Sequence, residues 1–489
     1  MAENRNVIII GKHPLVENLV LQYKTNGCAV EHHEELTTEK VVINNYDELC
    51  LLTETGGDNK AISLLDELAA LYDVDTHNGK RLICHLLLND SKTLRMLQTC
   101  DLCDKVRQKI DVYPFTMDEV WSRSIVLDYE PITVQSEKHV HLVIFGMGDI
   151  AEMVAIQAAH IAHYPNYVHN HSLRTRITMV DGQAEQKSEK FIKQYQHLFD
   201  NSYYRIVKPS EEKAVIKFHK PMYEGVREDF VDVEWEFVEA EIWNADVREK
   251  LQLWANDKKQ LLTVVMADKD KTKNQSEALL LPQELYKQHV PIYIYNQGTE
   301  EYDITLPLVK MAMNVNFIYD QCYNENYSQF TTRESPSTIK YAVEIDTEKR
   351  ERLWANLSNV KRMSCLYNAM TIPTKMRSIG LEENDWEKFY DISQQDIELL
   401  AQVEHNRWSV EELILGFRPC TDEEQEQIAR DVATQKDSFK TRKIHYDLRA
   451  YKDLRPDKTG RGVQVYDICL SSCLPLIAKD IANKKGGEM

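Results

Sequence analysis

The sequence predicts an α/β protein with two tandem parallel-sheet units followed by a mainly α-helical region. Three observations carry this. Short apolar runs alternate with amphipathic helical stretches over residues 1–135, and the alternation starts again near residue 140. One of those runs ends in a glycine turn, Gly146-Met147-Gly148, that opens into an apolar helical stretch. Beyond about residue 330 long β-like runs disappear and helical spacing takes over. Strands that alternate with helices along a chain assemble as a parallel sheet wrapped by helices.

In the first unit "NVIIIG" (6–11) reads as a buried strand and "PLVENLVLQYKTNG" (14–27) as an amphipathic helix closing on Gly27. "CAVEHHEE" and "ELCLLTE" (48–54) give further strands. "AISLLDELAALYDV" (61–74) gives a helix with Leu64, Leu65, Leu68 and Leu71 on one stripe, and "RLICHLLL" (81–88) a fourth strand. The second unit, 136–330, repeats that architecture. Its strands are "VHLVIFG" (140–146), "RITMVD" (176–181), "VEWEFVEAEI" (233–242), "LLTVVMA" (261–267) and "VPIYIYN" (290–296), with helices over 149–162 and 245–255 and an insertion around 182–230. "TTRESPST" (331–338) is a polar linker. A helical lead-in reaches residue 390, and 391–489 forms the last domain.

Composition narrows the class. At roughly 150 residues per domain, 489 residues suit about three domains. A net charge of −19 argues against nucleic-acid and anionic-membrane partners. No apolar run approaches the roughly 20 residues of a membrane span, and "MAENRNVIII" does not predict a secretory signal. The ten cysteines sit mostly in apolar segments, with Cys100 and Cys103 the single CxxC pair, which suits a reduced, cytoplasmic protein.

A strand that ends at a helix N-terminus presents backbone N–H groups and the positive helix end to an anion. Gly146 allows the tight turn and Gly148 lets a pyrophosphate approach. Asp149 and Ile150 open the helix, and Ala151 stands where a small residue packs helix on strand. Asp181 ends the next strand, where a carboxylate binds a ribose diol. This is a Rossmann-like reading and favours NAD or an adenine nucleotide over NADP. In the first unit Gly11 is followed by Lys12-His13-Pro14, so the second glycine is missing and the dinucleotide grip is expected to be lost. The histidines of "HIAHYPNYVHNHSLRT" (160–175) fit either a metal cluster or a solvated loop. No Ser-His-Asp order, HExxH or P-loop lysine motif is visible.

"LVIFGMGDIA", "RITMVD", "FVEAEIWNADVREKL" and "LLTVVMADKD" together resemble the TrkA-N or RCK domain, the nucleotide-binding regulator of potassium channels and transporters. The resemblance covers about 139–300. The family's Gly-Asp-Ala-like turn is matched imperfectly by Glu241 to Asp246, and Asp268 closes the following strand.

In "SQQDIELLAQVEHNRWSVEELILGFRP" (393–419), Ser393 and Asp396 predict a capping box. Leu399, Val403, Val410 and Ile414 give an apolar stripe, and Gly416 a C-cap. Glu404, Trp408 and Glu411 share another face, flanked by His405 and Arg407. This Trp is either packed on a neighbour or a stacking platform for a base. Residues 436–461 carry nine lysines and arginines, Lys443 among them, against four aspartates, which fits a solvated loop or a phosphate-binding patch. "EHNRWSVEELILGFRP", "HYDLRAYKDL" and "YDICLSSCLPLIAK" resemble the RyR domain, the repeat first named in ryanodine receptors, and 351–381 resembles the helical lead-in of bacterial members. "SCLYNA" (364–369) departs from that family's pattern.

The two resemblances imply a nucleotide-responsive receptor or regulator. Gly146, Gly148, Asp149, Ile150, Ala151 and Asp181 would hold NAD or an adenine nucleotide. Glu404, His405, Arg407, Trp408, Glu411, Lys443 and His445 would hold a phosphate-bearing ligand. They also imply a homodimer and a separate effector or channel subunit. The competing readings are an NAD-dependent oxidoreductase and a cytosolic regulator of a potassium channel or transporter.

Overall fold

The computed structural model describes residues 5–478 apart from 40, 55, 210–214, 222–228, 297–301, 305, 325–343, 383–384, 431–437 and 455–462. The expected linker at 331–338 and part of the basic stretch at 436–461 lie outside the described residues. The protein is α/β with a helical C-terminal region. Its residues fall into two compact units. One comprises 1–124, 296–310 and 347–363, and the other 125–295, 311–346 and 364–489. The chain therefore returns twice to its first unit after leaving it, and residues 364–489 of the helical region share a unit with the second sheet.

The first unit contains β1 (Asn6–Ile10), α1 (Leu15–Thr25), β2 (Ala29–His33), β3 (Glu48–Leu52), α2 (Asp58–Leu71), β4 (Leu82–Leu87), α3 (Ser91–Thr99), α4 (Asp104–Arg107), β5 (Ile110–Phe115) and α5 (Met117–Arg123). All five strands are parallel in the order β2-β1-β3-β4-β5. Val7 to Ile10 are buried without alternation because helices cover both faces. Ile8, Ile10, Leu49, Leu51, Leu65 and Leu68 pack one face. Val7, Ile9, Leu19, Cys50 and Leu52 pack the other, where Tyr302 and Ile304 of the returning segment cover the sheet. Tyr302 stacks on Phe115 at 3.8 Å and bonds His85 Nδ1 at 2.9 Å. Gly11 has φ +119°, and a Cβ there would stand 2.0 Å from the Leu52 carbonyl oxygen. Its glycine is required by sheet packing.

The second sheet is built from β6 (His139–Phe145), α6 (Asp149–Ile161), α7 (Asn166–His169), β7 (Thr175–Asp181), α8 (Ala184–Gln194), α9 (Gln196–Asn201), β8 (Tyr203–Lys208), β9 (Val215–His219), β10 (Val233–Glu239), α10 (Ala245–Asn256), β11 (Gln260–Met266), α11 (Lys271–Ala278), α12 (Gln283–Lys287) and β12 (Ile292–Ile294). Its order is β12-β11-β6-β7-β10-β8-β9. The two sheets thus differ in strand order, although both are doubly wound. The insertion supplies β8 and β9. The latter runs antiparallel to β8 and makes this sheet mixed. From β6 the chain builds outward through β7 and β10, then crosses back to β11, which places a topological switch point between β6 and β11.

The histidine-rich stretch is not one solvated loop. His160 is buried and stacks on Tyr367 at 3.9 Å, and His163 is buried against Asp232 at 2.8 Å, while His169 and His171 are exposed. Among the described residues no group of His, Cys, Asp and Glu is arranged to hold a metal ion.

A row of polar side chains crosses the lower half of this sheet. His141 Nε2 lies 2.8 Å from Thr178 Oγ1, and His139 lies 3.9 Å from Glu234. Burial, reinforced by Arg176 and Arg205 and opposed by Asp257, lowers His139 to about 3. Burial and Arg176 also push His141 well below the usual range. Both rings are neutral when folded and protonate when unfolded near pH 6.5. Their contribution to stability is complete above that pH and is lost as pH falls toward 3. Denaturant midpoints should therefore drop from pH 7.5 to 5.5, with a slope approaching about 1.4 kcal/mol per pH unit for each histidine. The slope should shrink in His139→Gln/His141→Gln. An unchanged slope in that variant would assign the pH dependence elsewhere.

The helical elements are α13 (Pro307–Asn324), α14 (Thr347–Ala355), α15 (Asn359–Met370), α16 (Ile372–Ser378), α17 (Trp386–Phe389), α18 (Gln394–Ile414), α19 (Asp422–Arg430), α20 (Gln464–Ser472) and α21 (Leu474–Ile477). Two short strands, β13 (Arg418–Pro419) and β14 (Ile444–His445), pair in parallel. The capping box of Ser393 and Asp396 starts α18, and Gly416 with φ +86° follows its end. Helix α18 packs against α20 and against α6, α7 and α9 of the second sheet. Among the described residues no helix is long and apolar enough to cross a membrane.

Candidate functional site

Strand β6 is buried throughout and delivers Phe145 to the carboxyl edge of the second sheet. There Gly146 takes φ +107°, a conformation a side chain resists, and the chain turns into α6. Gly148 is the N-cap of α6 and supplies no side-chain cap. A Cβ at Gly148 would meet nothing within 4 Å, so neighbouring protein atoms do not require glycine there. Ile150 and Ala151 are buried and seat α6. Asp149 is half-buried and pairs with Lys269 at 2.7 Å.

Asp181 stands at the end of β7, beside the turn. Its Oδ2 accepts from the Met147 N–H at 3.1 Å and its Oδ1 from the Gln183 N–H at 2.8 Å. Lys187 Nζ donates to both oxygens at 2.7 and 2.9 Å. The structure thus joins the glycine turn and the acid that the sequence predicts as partners.

A cavity of about 400 Å³ opens here, at the carboxyl ends of β6, β7, β10 and β11, beside the switch point. Gly146, Asp181, Lys187, Glu241, Asp268 and Glu277 are among its lining residues. Lys273 bonds Asp268 at 2.8 Å. Burial would raise the Asp268 carboxyl, but the Asp270 N–H and Lys273 outweigh it and hold it low. Glu277 is raised by burial and by the charges of Glu241, Asp268 and Asp181, against Lys273. The walls therefore offer carboxylate acceptors for hydroxyl and amino donors and two lysines for anionic groups. Sequence reasoning missed Lys187, Lys273 and Glu277, which stand on α8 and α11 and reach the cavity only through the fold.

The residues of "EHNRW" separate into two groups. Glu404, Arg407 and Glu411 are buried together. Arg407 donates to Glu404 at 2.9 Å and to Glu411 at 2.7 Å. Lys375 donates to Glu404 at 2.7 Å, and Ser364 to Glu411 at 2.9 Å. This network lies buried on the inner face of α18. The other group follows Trp408, which is half-buried. Its ring lies 4.8 Å from His445, edge-on, and 5.6 Å from His405. His405 Nε2 is 2.8 Å from the Arg449 carbonyl oxygen, and its Nδ1 is 3.6 Å from Asp467. Lys443 Nζ sits 4.4 Å over the Phe417 ring.

Fold and cavity together define a doubly wound α/β protein with an open crevice at the switch point of its second sheet, the usual ligand position in such sheets. No protein-family model matches the chain, and no curated protein compared with it matches either.

Proposed function

We propose that the second unit binds NAD or an adenine nucleotide and that the chain is a cytoplasmic nucleotide-responsive regulator of the kind its TrkA-N-like and RyR-like stretches imply. One observation carries this reading: a cavity of about 400 Å³ lies at the switch point between Gly146 and Asp181. The start of α6 would take the pyrophosphate, Asp181 the ribose diol, and the carboxylates along the wall the amino group of the base. The RyR-like region would take a second, phosphate-bearing ligand on Trp408, His445 and Lys443, with the Glu404–Arg407–Glu411 network as its support. A homodimer and a separate effector or channel subunit belong to the same reading. A regulator must bind its ligand with different affinity in two states, and the packing of α18 on α6 offers a route for that coupling.

Thermal-shift titration with NAD, NADP, ATP and ADP-ribose tests this. A nucleotide at 100 times its Kd stabilises the wild type by about 2.7 kcal/mol. Asp181→Ala removes the diol acceptor and releases Lys187. It should weaken NAD binding by about tenfold or more, while NADP, with its 2′-phosphate, gains relative to NAD. Trp408→Ala should leave the NAD shift intact. The reading fails if no nucleotide shifts the wild type. It also fails if Asp181→Ala leaves every affinity unchanged.

A further inference from the structure

Helix α13 and the last two helices lie side by side, with three contacts in line. Asn314 Nδ2 donates to the Ile477 carbonyl at 2.9 Å. Tyr319 and Tyr323 pack on Tyr466 with ring centroids 5.5 and 6.0 Å apart. Between these contacts stand Cys322 and Cys469, both fully buried, with their sulfurs 2.6 Å apart. The two thiols are remote in sequence, occupy different helices and face each other from backbones that neighbouring contacts already fix. A bond at about 2.05 Å needs only a small side-chain adjustment.

We propose that Cys322 and Cys469 are a peroxide-sensitive pair that closes to a disulfide tying α13 to α20. In the first step one thiol attacks hydrogen peroxide, giving a sulfenic acid and water. In the second the other sulfur displaces that hydroxyl as water, forming the S–S bond. The two thiols lose two electrons and the peroxide is reduced to two waters. Burial excludes bulky reagents, so a small oxidant acting through local opening is the one that fits. The bond also reaches the Trp408 group. Asp467, two residues before Cys469 on the same helix, is the acid beside His405. Oxidation fixes the helix that holds it.

The exposed Cys100 and Cys103 are the competing pair, so the test uses the full chain carrying Cys100→Ser and Cys103→Ser. Treatment with hydrogen peroxide, followed by thiol titration in denaturant and peptide mapping without reductant, should show a loss of two thiols. It should also show one cross-linked peptide pair containing Cys322 and Cys469, reversed by dithiothreitol. Cys322→Ser and Cys469→Ser should each abolish the cross-link. Mapping of the parent protein stands by itself if either variant fails to fold. An undiminished thiol count, a bond between other cysteines, or sulfinic acid in place of the cross-link overturns the proposal.

Discussion

Glu404→Ala is expected to destabilise the protein by about 3–5 kcal/mol, the typical cost of removing one partner of a buried ion pair. Lys375 and Arg407 are each almost fully buried and both donate to this one carboxylate, at 2.7 and 2.9 Å. Burial would raise the Glu404 carboxyl, but Arg407 and Lys375 outweigh it and hold it at about 2. Without Glu404, Arg407 keeps Glu411, whose carboxyl burial itself pushes up, and Lys375 loses its ion-pair partner in an interior that already lowers its pKa. The loss should be large in denaturant melts and should be substantially recovered in Glu404→Leu/Lys375→Met, because two well-packed apolar groups can replace a buried pair at little cost. The sign with pH follows from the lowered carboxyl. Its stabilisation is complete above about 4.5 and is lost as pH falls through 2. A single variant within 1 kcal/mol of wild type would show that the network does not hold α18.

The elements legible in the sequence were those whose local physics decides them. Val7–Ile10 and Leu142–Phe145 read as strands because parallel strands buried on both faces lose their alternation. Ser393, Asp396 and Gly416 bounded α18 because caps are local. β5 escaped because Pro114 argues against a strand, yet β5 is an edge strand, where a missing N–H does no harm. β8 and β9 escaped because they lie in an insertion, with β9 forming the sheet edge and β8 next to it. Strand order was not legible, since Gly11 and Gly146 look alike in sequence while the chain departs from them into different topologies. The return of Tyr302 to His85 joins residues 217 apart, a contact that no local pattern in the sequence marks. At the site, Gly146 and Asp181 were legible from turn chemistry, whereas Lys187, Lys273 and Glu277 depend on where α8 and α11 land. On α18 the positions 404, 407, 408 and 411 all lie within one broad face. Helical spacing alone could not choose between Arg407 and Trp408 as the partner of the two glutamates. The choice is made by charge, as the guanidinium reaches both carboxylates and the indole turns to His405 and His445.

Gly148→Arg should abolish the nucleotide-induced thermal shift and leave the melting temperature of the ligand-free protein within about a degree of wild type. The two halves of this expectation have separate causes. Gly148 has φ −92° and ψ −173°, extended backbone open to any residue, and nothing stands within 4 Å of a Cβ there. The fold therefore tolerates a side chain. The open space lies at the uncapped N-terminus of α6, the path by which a pyrophosphate would reach the backbone, and an arginine fills it. A loss of at least ~100-fold in affinity, about 2.7 kcal/mol, is expected. Gly146→Ala should behave differently. At φ +107° a Cβ strains the turn itself, so the ligand-free protein should already melt lower. Titration of wild type and both variants with the same nucleotide separates steric blockade from a damaged turn. Full retention of the shift in Gly148→Arg would place the nucleotide away from the glycine turn and would remove the observation on which the regulatory reading stands.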